Sequence, residues 1–224
     1  MQEDYWTRSM VERVSAPDFR LEVQIVEDIA PLDRQFGLDA PKCVPDALFE
    51  PLFGQPERDS LLHTYMILDA ARVLGLAELL EASGLEHRCL FKGDAYDEMK
   101  DVAPWVVRLE PDNRFTRHLF TRSYSSWHLW DSEPGIYLRS DETLEEIWRH
   151  FRKFTKVQDD KGKWYYWRFW EGGFLLSTLN SGAPSERRKF FLEGRIASVH
   201  VVTAGKHPRL TTIKPPASTE DAGR

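Results

Sequence analysis

Asp69 is the residue of this chain best placed for chemistry, since a carboxylate where a strand passes into a helix can act as a general acid or base. The same address is where a helix needs its N-cap, and capping accounts for the residue fully. His87 and Cys89 lie two apart, so they share one strand face and could form half of a zinc site. No second pair at ligand spacing answers them, and Cys43 stands alone, so no metal site is assigned. The pair Asp159-Asp160 reads as a turn. Asp141, Glu142, Glu145 and Glu146 complement a helix N-terminus. The sequence has no Gly-x-x-x-x-Gly-Lys phosphate loop, no Gly-x-Gly-x-x-Gly turn after a strand and no Gly-x-Ser-x-Gly elbow. It therefore assigns no catalytic residue and no cofactor, and the expectation is a protein without turnover. An enzyme using Asp69 with an acid or base supplied by the fold stays open as an alternative.

The elements that would position these residues alternate along the chain. Phe19–Ile25 alternates apolar and polar like a half-buried strand. Pro31, Pro41, Pro45, Pro51 and Pro56 then leave room only for short helical turns. Leu61–Leu68 is an apolar strand, and Asp69 caps a helix that carries Val73, Leu76, Leu79 and Leu80 and closes at Gly84. His87–Phe91, Trp105–Leu109 and Gly135–Leu138 are further strands. Helices follow at Asp94 and after Pro111-Asp112. Thr143 and Glu146 spell a capping box for a helix over 143–154, whose apolar stripe is Leu144, Ile147, Trp148, Phe151 and Phe154. Helical turns around Phe174–Leu179 and a helix from Pro184 precede two closing strands, Arg195–Thr203 and Arg209–Lys214. A short helix is assigned to 1–16. The whole reads as α/β, with a mixed sheet of alternating strands and helices and late β-hairpins. Four segments follow: an N-terminal extension (1–55), the main domain (56–180), a C-terminal helix and strand lobe (181–214) and a disordered tail (215–224).

The densest feature is Lys163–Trp170, with six aromatics in eight positions. Strand alternation places Trp164, Tyr166, Arg168 and Trp170 on one face and Tyr165, Trp167 and Phe169 on the other. A strand aromatic on both faces must be covered on both, like a central strand, or else present a surface to another protein. Arg168 is the one charge among the rings; buried, it needs a carboxylate, with Asp69, Asp101 and Glu171 as candidates. Left open, Trp164, Tyr166, Arg168 and Trp170 form a partner-binding face.

The chain has 224 residues, 42% of them hydrophobic, with 30 basic against 36 acidic side chains and a net charge of -6. That field repels a phosphate backbone, so a nucleic-acid-binding regulator would depend on the local basic run over 149–156. Two cysteines in no framework spacing fit a reduced, cytoplasmic protein. No stretch approaches the length of a membrane span.

Read in order, several segments resemble a known family: Tyr65–Arg72, Leu79–Gly84, Cys89–Gly93, Asp101–Leu109, Gly135–Ser140, the helix Leu144–Phe154 and Trp167–Trp170. Together they resemble the bacterial type VI secretion effector chaperones, or adaptors, long described only as a domain of unknown function. The resemblance covers about 57–180, with a weaker echo from Pro184 to Gly194. The family's Arg-Phe-Tyr-Asp-Pro-Arg pattern here reads Arg168-Phe169-Trp170-Glu171-Gly172-Gly173, so two glycines replace Pro-Arg and loosen the turn. The resemblance implies a non-enzymatic protein that binds a cognate toxin effector in the cytoplasm, often by its N-terminal region, and helps load it onto the secretion spike. It implies no metal, cofactor, membrane or nucleic-acid partner.

Overall fold

The computed structural model describes residues 19–35, 37–56, 60–159 and 161–216. The helix assigned to 1–16 and most of the tail lie outside the described residues. In chain order the elements are β1 (Glu22–Val26), α1 (Asp46–Phe53), β2 (His63–Asp69), α2 (Leu76–Ser83), β3 (His87–Cys89), α3 (Asp94–Met99), β4 (Pro104–Leu109) and α4 (Arg114–Phe120). There follow β5 (Gly135–Ser140), α5 (Leu144–Arg152), β6 (Lys156–Gln158), β7 (Trp164–Tyr166), α6 (Gly172–Ser181), α7 (Pro184–Phe190), β8 (Ile196–Thr203) and β9 (Arg209–Lys214).

The protein is α/β. Its main sheet has seven strands in the order β1-β9-β8-β5-β2-β4-β3, and β6 and β7 form a separate two-stranded hairpin. Every ladder of the main sheet is antiparallel, where the sequence suggested a mixed one. The parallel contact among the described residues is an isolated bridge, Leu32 with Thr121.

Strand β2 explains the layering. Every residue after His63 is buried, so the strand must be covered above and below. Met66 and Leu68 enter one core with Leu48 and Leu52 of α1, Leu80 of α2 and Leu119 of α4. Tyr65 and Ile67 enter the other with Ile147 and Phe151 of α5, Leu175 of α6 and Phe190 of α7. Each such side chain contributes about 1.5–3 kcal/mol by leaving water, which fixes β2 between β4 and β5. Gly135 opens β5 because no side chain fits there: a Cβ would stand 1.8 Å from the Ile67 carbonyl oxygen.

Local chemistry behaves as the sequence indicates. Thr143 and Glu146 close the capping box of α5, and α2 ends at Gly84 in the left-handed conformation. The boundaries of the four segments do not appear in the sheet. β1, from the extension, pairs with β9, and β8, from the C-terminal segment, pairs with β5. β1 also departs from the half-buried reading, since all five of its residues are exposed. It is an edge strand beyond the reach of the covering helices.

His200 of β8 is buried between Ser198 and Thr212, its ring nitrogens 2.8 and 2.9 Å from their hydroxyl oxygens. Burial first, then the charges of Arg139 and Lys214, pushes its pKa down from 6.5 to about 3. The unfolded chain takes a proton on this ring near pH 6.5, whereas the folded chain refuses it until about pH 3. Through that window the unfolded state binds more protons, so stability is full above pH 6.5 and falls with acidification. The slope expected from this one group is about 1.4 kcal/mol per pH unit. Urea unfolding at a series of pH values checks it, and His200→Asn should flatten the profile by that amount.

Candidate functional site

The β6–β7 hairpin is built by its turn. Asp159 Oδ1 accepts hydrogen bonds from the backbone N–H groups of Lys161 and Lys163 at 2.9 and 2.8 Å, which holds the carboxyl below the usual aspartate pKa. Gly162 supplies the positive φ of +82°. Register then pairs Lys156 with Tyr166, Val157 with Tyr165 and Gln158 with Trp164.

The central-strand reading of Lys163–Trp170 does not hold. The strand is only Trp164–Tyr166 and stands apart from the main sheet. Its last backbone bond runs from Trp167 N–H to the Thr155 carbonyl, and Glu171 N–H then closes a turn onto the Arg168 carbonyl. The turn breaks the alternation, so the four residues of the expected face separate. Trp164 is 61% and Tyr166 45% exposed, Arg168 is half-exposed, and Trp170 is buried beside Phe169. Trp170 therefore belongs to the core and cannot join an open face. Sequence alternation could not locate this turn, because aromatic residues run without interruption from Trp164 to Trp170 apart from the one charge at Arg168.

Arg168 holds the turn down. Its Nη2 donates to Asp69 Oδ2 at 2.7 Å and its Nε lies 2.5 Å from Glu171 Oε1. Two of the three candidate carboxylates thus meet it, while Asp101 stays exposed in the turn 100–102. Asp69 is 1% exposed and uses both oxygens: Oδ1 accepts from Ala71 N–H at 3.0 Å, and Oδ2 also has Arg72 Nε at 3.8 Å. Asp69 does cap, although the first turn after it is the short 3-10 segment Ala70–Arg72. The Gly172-Gly173 pair does not loosen the turn; it opens α6. At Gly172 a Cβ would meet Val201 Cγ1 at 2.3 Å, so glycine lets the helix start against β8.

Each hairpin face has its own surroundings. On one, the Tyr166 ring lies 5.3 Å from the Phe91 ring, with Lys156 Nζ 5.3 Å above it. On the other, Val157 borders an apolar groove of about 380 Å³ with Phe154, Trp167, Phe174, Leu179 and Phe190. Phe174 is 48% exposed at its mouth. Arg187 and Lys189 stand on the rim beside Glu186. No spacing in the sequence reveals this groove, since β6, α6 and α7 build it together.

The remaining chemical candidates are accounted for locally. His87 Nδ1 lies 2.7 Å from the Leu85 carbonyl oxygen, and burial pushes the Cys89 thiol up to about 11. Among the described residues no three His, Cys, Asp or Glu side chains gather as a metal site. The basic run over 149–156 is not a continuous track: Arg149 pairs with Glu145, His150 is buried against the Phe190 carbonyl, and Arg152 lies over the Trp148 ring. No described helix is long and apolar enough to cross a membrane.

Residues 64–189, more than half of the chain, match the family described as Domain of unknown function (DUF4123). No curated protein and no solved structure gives a match. The matched span runs from β2 almost to the end of α7 and includes both Asp69 and Arg168.

The Asp69–Arg168 pair yields a double-mutant prediction. Arg168→Ala leaves a buried carboxylate short of its main counter-charge. Breaking a fully buried pair costs about 3–5 kcal/mol, and the half-exposure of Arg168 reduces this to about 2 kcal/mol. Asp69→Asn retains the cap and should cost about 1 kcal/mol. The double variant should be more stable than Arg168→Ala alone, because it removes the stranded charge. Denaturant unfolding of the three proteins measures the coupling. Strict additivity would mean that the pair contributes nothing.

Proposed function

We propose that this chain, which belongs to the DUF4123 family, is a non-catalytic adaptor that captures a partner protein on its aromatic hairpin. The observation that carries the reading is the exposure of Trp164, Tyr165, Tyr166, Val157 and Phe174 together, beside an apolar groove. Apolar surface of this kind, rimmed by polar residues, is typical of protein interaction sites, and tryptophan and tyrosine are their usual energetic centres. The resemblance to type VI secretion effector chaperones supplies the partner: a cognate toxin effector, held in the cytoplasm by its N-terminal region and passed to the secretion spike. Absence of turnover fits Asp69, whose two oxygens are already committed to a cap and to arginines. The docking residues are Trp164 and Tyr166 with Arg168 at the edge on one hairpin face, and Tyr165, Val157 and Phe174 toward the groove on the other.

Co-expression with the toxin encoded beside a spike gene, followed by pull-down, tests the proposal. Trp164→Ala and Val157→Glu change exposed positions and should shift stability by no more than about 0.5 kcal/mol. Loss of a hot-spot side chain costs about 2 kcal/mol or more of binding, so retention of the effector should fall roughly thirtyfold. Saturating effector should also raise the melting temperature of the native protein. Undiminished retention by both variants would remove the hairpin from the docking site. Turnover abolished by Asp69→Asn in a folded protein would remove the adaptor reading itself.

A further inference from the structure

The face of the sheet away from the hairpin changes character toward the β1 edge. Under α2 and α4 it is apolar, but along β5, β8 and β9 it carries Arg139, Ser198, His200, Thr212 and Lys214. These line a cavity of about 450 Å³ beneath the C-terminal end of α1. Polar side chains this buried need internal partners. His200 has them on both ring nitrogens. Arg139 has them on its Nη groups only, and Lys214 is half-buried.

Arg139 is 3% exposed, and its guanidinium is fixed by backbone carbonyls: Nη1 donates to Pro51, and Nη2 to Gly54 and Leu62, at 3.2, 2.5 and 3.4 Å. It caps the end of α1, yet its Nε–H is buried without an acceptor. Among the described residues neither Arg139 nor Lys214 has a carboxylate within ion-pair distance. Register places them around one point. Arg139 pairs with Ser198, and the register of β8 against β9 brings Lys214 to the far side of that serine. The two cations thus flank Ser198 from strands roughly 10 Å apart, two inter-strand spacings. Both charges are also felt by His200, which depresses its pKa.

We propose that this cavity is a binding site for a carboxylate-bearing ligand, with the carboxylate seated over Ser198 between Arg139 and Lys214. The carboxylate accepts from Lys214 and from whichever of the Ser198 and Thr212 hydroxyls is not donating to the neutral His200 ring, while Arg139, whose Nη groups face backbone carbonyls, contributes its charge. The lining carries Arg139 and Lys214 against Glu50 alone, an excess of one positive charge that matches a monoanion better than a dianionic phosphate. Glu22, opposite Lys214 on β1, is exposed and outside the lining. Val26, Pro51, Pro56 and Leu62 provide apolar wall for a short chain behind the carboxylate. The site lies on the opposite sheet face from the aromatic hairpin and does not depend on the adaptor reading.

Isothermal titration calorimetry of the full chain tests this with four probes: acetate, an N-acetylated tripeptide with a free C-terminal carboxylate, its C-terminal amide, and inorganic phosphate. The carboxylates should bind saturably and the amide should not. Lys214→Ala should weaken binding by about tenfold or more, and Lys214→Arg should restore it. Arg139 also holds the end of α1, so the partly exposed Lys214 is the informative position. A tripeptide that far outbinds acetate assigns the site to a polypeptide terminus; equal binding assigns it to small acids, and the carboxylate assignment stands in both cases. The proposal is overturned if no carboxylate binds saturably up to about 10 mM. Equal binding of the amide, tighter binding of phosphate, or indifference to Lys214→Ala overturns it equally.

Discussion

One buried carboxylate organises the surface of this protein. Asp69 ends β2 at the centre of the sheet, where it is 1% exposed and cannot be left unpaired. Its Oδ1 sets the first turn toward α2, and its Oδ2 reaches Arg168, 99 residues further along the chain. That contact fixes where the chain turns after the hairpin. With Arg168 held at the end of β2, Phe169 and Trp170 fall into the core formed with α5, α6 and α7. The hairpin before them is left outside with Trp164 and Tyr166 exposed. The burial of one half of the aromatic run and the exposure of the other thus follow from the same ion pair.

The sheet is covered unequally, and both candidate sites sit where cover ends. At its centre, β2, β4 and β5 are buried on both faces, so their side chains have no choice but to be apolar or internally paired. Toward β1 the helices run out. There the strands carry Ser198, His200 and Thr212, which satisfy one another, and Arg139, whose Nη groups are held by backbone carbonyls. On the other face the hairpin projects past the last helices.

What could be read from the sequence was local. The capping box at Thr143 and Glu146, the cap at Asp69 and the turn at Asp159–Gly162 each depend on residues within a few positions, and each forms. The carboxylates for Arg168 could be named because a charge among rings has few solutions, and two of the three meet it. The central position of Lys163–Trp170 could not be read correctly. Alternation reports the two faces of a strand but not whether a second layer covers them, and among six aromatics it gives no sign of the break at Arg168. β1 failed for the same reason, since Val23 and Ile25 alternate like a half-buried strand while no described helix reaches them. The groove and the Arg139 cavity were beyond sequence reading altogether, because each is assembled from elements far apart in the chain.

The exposed hairpin is held at its turn, along its face and at its base. The Asp159 carboxylate locks its turn, Tyr166 packs on Phe91, and Lys156 and Lys163 lie over the rings of Tyr166 and Tyr165. At its base, Trp167 packs against Phe154 and Phe190. A flexible aromatic loop would have to be ordered at every encounter, at about 0.5–1.5 kcal/mol for each side chain immobilised. Here the contacts at the turn and at the base already hold the rings in one arrangement. Rings held in this way still expose apolar surface at Trp164, Tyr165 and Tyr166. The Arg168 anchor thus sets where the chain turns, with the aromatic strand outside the core and Phe169 and Trp170 inside it.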